Sequence, residues 1–212
     1  MFNRRIFTTP PAPPLTFAFR VKATSTADTI TIPASAEVGD LAVLLDWMVD
    51  FTPNFTTPAG WTFIGEDESS GGGGGGARMS MKLLVGGDPG SLITASSGGS
   101  VQKKLMLVFS GNHSTIADFS YVGDFGGGGT TSPQTITSGG GTPDFVIIGH
   151  SAYDGTGEDF TGSTAFDAEE EGPDSGQLGG YKIVTSSPVN HTVDRSGNGD
   201  TGLIQGVYIQ VT

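Results

Sequence analysis

Arg78-Met79-Ser80-Met81-Lys82-Leu83-Leu84-Val85, residues 78–85, decides the fold class. Its apolar side chains at 79, 81 and 83 alternate with Ser80 and Lys82, which gives an extended chain one oily and one polar face; a helix needs apolar positions three and four apart. The same period of two runs outward in both directions, with Ile30 and Ile32 alternating with Thr29 and Thr31 upstream. Besides Arg78–Val85, the strand candidates are Leu15–Ala23, Thr29–Pro33, Asp40–Val49, Trp61–Glu66, Ser91–Thr94, Val101–Ser110, Ala117–Val122, Gln134–Thr137, Asp144–Ala152, Leu178–Ser186, Asn190–Asp194 and Leu203–Val211. Gly- and Ser-rich stretches separate them. No longer segment carries a helical stripe with a cap at each end, although Ala165–Glu171 allows one helical turn. The sequence therefore predicts an all-β protein, an antiparallel sandwich of jelly-roll-like type. Its core is expected to hold Ile30, Ile32, Leu41, Val43, Trp61, Leu83, Leu105, Leu107, Val146, Ile148, Ile183, Val207 and Ile209.

The order of elements returns about halfway along the chain. Thr29-Ile30-Thr31 before Leu41–Leu45 answers Thr135-Ile136-Thr137 before Phe145–Ile148. Met81–Val85 answers Gly180–Val184, and the closing strand Leu105–Phe109 answers Val207–Val211. Two such units would each expose an apolar face alone, so packing them face to face around one core is the economical arrangement. The domain expected is residues 15–212, a single sandwich.

Composition narrows the class further. The chain has 212 residues, 35 of them Gly, with 35% hydrophobic, 15% charged and a formal net charge of −12. Charge is scarce relative to the roughly 25% of an average domain, and Ser, Thr and Gly take its place. There is no Cys, which excludes disulfide scaffolds, thiolate metal sites and cysteine nucleophiles. An acidic chain is a poor general binder of phosphate backbones, so no nucleic-acid partner is expected. No apolar run approaches the roughly 18 residues of a membrane helix, and the prolines after Thr8 interrupt any secretory leader, so no membrane or export role is expected.

Residues 1–14 combine Arg4 and Arg5 with Pro10, Pro11, Pro13 and Pro14. Proline lacks an N–H and fixes φ, favouring an extended arm over a core element. Phe2, Arg4, Arg5, Ile6 and Phe7 are its candidate partner-binding residues. The runs Gly71–Gly76, Gly126–Gly129 and Gly139–Gly141 read as loops; the first lacks the Lys-Ser/Thr ending and following helix of a phosphate-binding loop.

Catalytic motifs are absent from this reading. His113, His150 and His191 stand far apart with no metal-hydrolase spacing and read as loop or core residues. No serine has nucleophile-elbow flanks. Asp154, Glu158, Asp159, Asp167, Glu169, Glu170, Glu171 and Asp174 form an acidic segment, read as a solvated loop or as the target of a basic partner. Asp194, Ser196, Asn198 and Asp200 follow the early spacing of a calcium loop, but Gln205 stands where the bidentate Glu belongs; a polar hairpin turn explains the same residues. Trp61 and Trp47 read as core anchors. The expectation is a protein without enzymatic activity or cofactor.

Ile30 through Ile32-Pro33 and Val38-Gly39-Asp40-Leu41, then Thr57-Pro58-Ala59-Gly60-Trp61-Thr62, then Gly86-Gly87-Asp88-Pro89, resemble β-sandwich proteins encoded among the virion structural genes of tailed bacteriophages. The resemblance spans roughly residues 28–110; the second half follows only in strand rhythm, and the Gly insertion and acidic segment depart from the pattern. It implies a virion component: a capsid decoration or cement protein, or alternatively a tail-tip, fibre or spike component contacting a host glycan. The implied partners are the major capsid protein or another virion protein, together with further copies of the chain, a trimer being expected. It supplies no catalytic residues.

Overall fold

The computed structural model describes residues 17–49, 55–68, 75–96, 101–111, 113–126, 133–137, 145–153, 166–173, 176–184, 190–194 and 202–212. They form fourteen strands: β1 Ala18–Ser25, β2 Thr29–Thr31, β3 Leu41–Val49, β4 Thr62–Glu68, β5 Gly75–Leu83, β6 Leu92–Thr94, β7 Val101–Ser110, β8 Ile116–Gly126, β9 Gln134–Thr137, β10 Phe145–Tyr153, β11 Ala168–Glu171, β12 Gln177–Val184, β13 Asn190–Val193 and β14 Gly202–Val211. One five-stranded sheet runs β1-β7-β3-β5-β4 and a second runs β11-β12-β10-β14-β8, while β2 pairs with β6 and β13 with β9. Every strand pair is antiparallel.

The arrangement is an all-β sandwich, built in four layers. Inward side chains of both large sheets share one core: Leu41, Val43, Leu45, Met79, Met81, Leu105, Leu107 and Phe109 meet Val146, Ile148, Val207, Ile209 and Val211. The pair β2–β6 covers the far side of the first sheet through Ile30, Ile32, Ala42, Leu44, Met106 and Val108. The pair β9–β13 does the same for the second through Ile136, Val193, Ile147, Ile204 and Tyr208. A sheet covered on both faces needs no polar side, which is why Leu41–Leu45 and Leu105–Phe109 read as continuous apolar runs. Of the thirteen expected core residues, Leu83 and Ile183 are half-buried at its margin and the others are buried.

Each large sheet is made from one half of the chain, so the path crosses from one large sheet to the other between β7 and β8, unlike the repeated crossings of a jelly roll. Matching β1–β7 in order to β8–β14 turns the first sheet order into the second read backwards, and β2–β6 into β9–β13. The internal repeat is therefore complete at the level of topology. Leu41 pairs with Leu83 and Phe109, and Val146 with Ile183 and Ile209, so Lys82 corresponds to Lys182 and Leu107 to Val207.

Two seams join the sheet edges. At one, Lys22 of β1 pairs with Glu170 of β11 at 3.0 Å and donates to the Glu171 carbonyl at 3.1 Å. At the other, Tyr121 of β8 donates to Asp67 of β4, its ring lying flat against Gly65, where a Cβ would stand 2.5 Å from the ring.

Two expectations change. Ala168–Glu171 is the edge strand β11, not a helical turn or solvated loop, because β12 offers it a free edge and Asp167 bonds the Tyr181 carbonyl and the Ile183 amide at 2.8 Å each. Gly75 and Gly76 of the hexaglycine run already belong to β5, and Gly75 admits no Cβ because the Trp47 indole lies 2.7 Å from where it would stand. The arm residues Phe2, Arg4, Arg5, Ile6 and Phe7 lie outside the described residues.

Candidate functional site

The motifs Val38–Leu41, Thr57–Thr62 and Gly86–Pro89 form turns. The Pro58 carbonyl accepts from the Trp61 amide at 3.0 Å, and Gly60 at its third position has φ of 78°; a type II turn requires glycine there. Asp88 closes the next turn by accepting from the Val85 amide at 2.7 Å, while Gly87 and Gly90 take φ of 92° and 81°. Asp40, fully buried, accepts from the Glu37 amide at 2.8 Å and the Gly111 amide at 3.2 Å and pairs with Arg20 at 2.8 Å. These motif residues are turn-formers.

Between the Thr57–Trp61 turn and β6 lies an open groove of about 540 Å³, lined by Thr56, Thr57, Trp61, Lys82, Asp88, Ser91, Leu92 and Thr94 among others. Lys82 and Asp88 pair across its floor at 2.7 Å. The hydroxyls of Thr56, Thr57, Ser91 and Thr94 share the rest with the apolar side chains of Pro58, Ala59, Trp61, Ile93 and Leu92, the last of them exposed. The groove offers hydrogen bonds and one ion pair to a partner surface, with no nucleophile–base pair.

A second polar constellation is enclosed between the sheets. His150, Gln177 and Gln205 are fully buried on the inward faces of β10, β12 and β14, where the corresponding positions of the first half hold Leu45, Ala77 and Leu105. His150 Nδ1 donates to Gln205 Oε1 at 2.9 Å, and its Nε2 accepts from Gln177 Nε2 at 3.0 Å. These partners fix the neutral tautomer. Gln177 Nε2 also donates to the Leu45 carbonyl at 2.9 Å, and Gln205 Nε2 lies 3.1 Å from Asp67 Oδ2 and from the Ala77 carbonyl and 2.7 Å from the Tyr121 hydroxyl. Burial lowers His150 to about 4, the Gln205 bond opposing only in part. Burial and then the neighbouring Asp67 carboxylate push the Tyr121 phenol up. The network ties the two sheets together; His150, Gln177 and Gln205 are closed to solvent, and its far end at Asp67 and Tyr121 is half-buried.

The other sequence candidates fall apart in space. His113 stands edge-on to Phe17 at 5.2 Å, and His191 is buried beside Phe166 at 4.7 Å. Asp194 follows β13, whereas Ser196, Asn198 and Asp200 lie outside the described residues; among those described, no three ligating side chains stand together for a metal. Trp47 and Trp61 are core residues. Sequence reasoning missed the His150 network and the buried pair of Asp46 and Lys104, whose only signal is polar residues at inward or covered positions of apolar strands. Comparison with protein-family models, curated proteins and solved structures finds no match.

Proposed function

We propose that this chain is a structural protein of a tailed-bacteriophage virion, a decoration protein that sits on the head surface and stabilises the shell, working as an oligomer with the major capsid protein as its partner. The observation that carries this reading over a receptor-binding one is the fate of the aromatics. Both tryptophans are buried, the tyrosines whose side chains are described, Tyr121, Tyr181 and Tyr208, are buried or half-buried, and of the exposed rings Phe63 and Phe119 the first is covered by the Arg78 guanidinium at 4.5 Å. A sugar-stacking surface needs an exposed aromatic face; a cement protein needs a rigid body. Four layers held by an apolar core supply that rigidity. The polar, low-charge surface also costs little to desolvate against neighbouring subunits.

Purified heads lacking tails test the reading. A decoration protein copurifies with them at a copy number matching the shell lattice; recovery only with tails, at the copy number of a single ring, overturns it. The groove beside Trp61 favours a second reading, contact with a host glycan, and binding to a glycan array that is lost on filling the groove with Thr57→Trp would support that alternative.

A further inference from the structure

Asp46 of β3 and Lys104 of β7 are direct cross-strand partners on the covered outer face of the first sheet. The Lys104 side chain is 0% and the Asp46 side chain 3% exposed, with Nζ 3.3 Å from Oδ1. Lys104 Nζ donates to Ser96 Oγ at 2.6 Å and to Gln102 Oε1 at 2.9 Å. Ser96 Oγ stands 3.3 Å from the same Asp46 Oδ1, and Gln102 is held from behind by Asp28. Asp46 Oδ2, although buried, has no hydrogen-bond partner. Arg78, on the other side of Asp46 in β5, turns instead to Glu66 at 3.4 Å and lies over the Phe63 ring.

Two enclosed opposite charges with one carboxylate oxygen unpartnered are the costly form of such a pair, because each ion gives up its hydration. Burial pushes the Asp46 carboxyl up to about 6 and the Lys104 amine down, with their mutual attraction opposing both. The neutral forms are a carboxylic acid and an amine already in van der Waals contact, held in one orientation by Ser96 and Gln102. Such positioning converts a bimolecular condensation into an intramolecular one. Leu44, Met48 and Met106, flanking the pair on the same face, are buried and exclude water.

We propose that Lys104 and Asp46 join in an intramolecular isopeptide bond that ties β3 covalently to β7. The Nζ lone pair attacks Asp46 Cγ and the C–N bond forms. A proton leaves Nζ through the Ser96 hydroxyl to Oδ1, which already carries the proton of the neutral acid, the Cγ–Oδ1 bond breaks, and Oδ1 departs as water. Acid and amine become amide and water, with no oxidant or reductant involved. Oδ2 remains as the amide carbonyl, and the retained N–H points to Gln102 Oε1. The product replaces two buried charges by one neutral amide, a far smaller desolvation cost. The reaction belongs to the first half alone: the corresponding pair in the second half is Ser151 opposite Ile204. It stands independently of the virion reading.

The test is the mass of the purified full chain measured under denaturing conditions. The expected result is a chain lighter than its sequence by one water, with a branched tryptic peptide joining the segment that carries Asp46 to the one that carries Lys104. Lys104→Arg should restore the full sequence mass. A wild-type chain at full sequence mass overturns the proposal, as does a water deficit that persists in Lys104→Arg or maps to a succinimide at Asp154-Gly155. The decisive reading is on the wild-type protein, so a variant that fails to fold leaves the test intact.

Discussion

His191 occupies in the second half the position that Ile93 holds in the first: Ile136 pairs with His191 as Ile30 pairs with Ile93. It is buried with neither ring nitrogen hydrogen-bonded. Burial, then the Lys182 ammonium, lowers it to about 4, with Asp167 opposing. The folded state holds the ring neutral while the unfolded chain takes up a proton near pH 6.5, so stability is full above that value and falls as pH drops towards 4. His191→Ile should therefore be more stable than wild type, by a margin that grows on acidification from pH 7 to pH 4 to roughly 3 kcal/mol at about 1.4 kcal/mol per pKa unit. Urea unfolding of both proteins across that range checks it, and a margin independent of pH would refute the account. His150 predicts the opposite sign. Its counterpart Leu45 is apolar, yet His150→Leu would take from buried Gln205 Oε1 the ring N–H that it accepts and from Gln177 Nε2 one of its two acceptors, costing about 1–3 kcal/mol. Urea unfolding at pH 7, where both histidines are neutral, reads that loss directly. Both histidines read from sequence as loop or core residues; their burial on inward or covered strand positions and their opposite energetics were not legible, because strand register and the partners it supplies are absent from a linear reading.

At the scale of elements, the apolar runs Leu41–Leu45 and Leu105–Phe109 declared themselves as strands, but nothing in them says which short strand covers the outer face. Thr29-Ile30-Thr31 and Thr135-Ile136-Thr137 were recognised as repeats, and the structure shows why they recur: each lays an isoleucine onto the outer side of its sheet, Ile30 at 2% and Ile136 at 0% exposure. If the two covers are equivalent, Ile30→Ala and Ile136→Ala should each cost roughly 2–5 kcal/mol and should increase binding of a hydrophobic dye. Chemical denaturation with dye fluorescence tests this, and loss in one half alone would mean that one cover is dispensable. β11 shows the limit of sequence reading. Ala168-Glu169-Glu170-Glu171 has helix-forming residues and no apolar alternation, so local propensity points away from a strand. The free edge of β12 and the Lys22 ammonium across the seam decide otherwise, and both are tertiary. The acidic segment reads as a solvated loop or as the target of a basic partner, and Glu170 pairs with Lys22 of the same chain.

For the whole molecule, the described strands of the two halves close one core between them. Phe17 is buried against Phe109 at 5.8 Å and His113 at 5.2 Å, so the described body begins with its own anchor. Deleting residues 1–14 should leave unfolding cooperative and the midpoint close to that of the full chain. If the protein decorates a shell, the arm is the segment whose composition fits attachment. The prolines at 10, 11, 13 and 14 restrict the free chain in advance, so less entropy is lost on docking. Arg4 and Arg5 can pair with carboxylates on the partner, but exposed ion pairs contribute only about 0–1 kcal/mol each. Burying Phe2, Ile6 or Phe7 contributes roughly 1.5–3 kcal/mol per side chain. The apolar anchors should therefore dominate: Phe2→Ala with Phe7→Ala should weaken attachment more than Arg4→Ala with Arg5→Ala, and raising salt should have a modest effect because screening acts on the weaker contribution. Cosedimentation of each variant with undecorated particles at two salt concentrations measures both effects. Attachment by the truncated chain at the wild-type level removes the arm from the interface, whereas steep salt dependence with little response to the Phe changes reverses the ranking and makes the arginines the anchor.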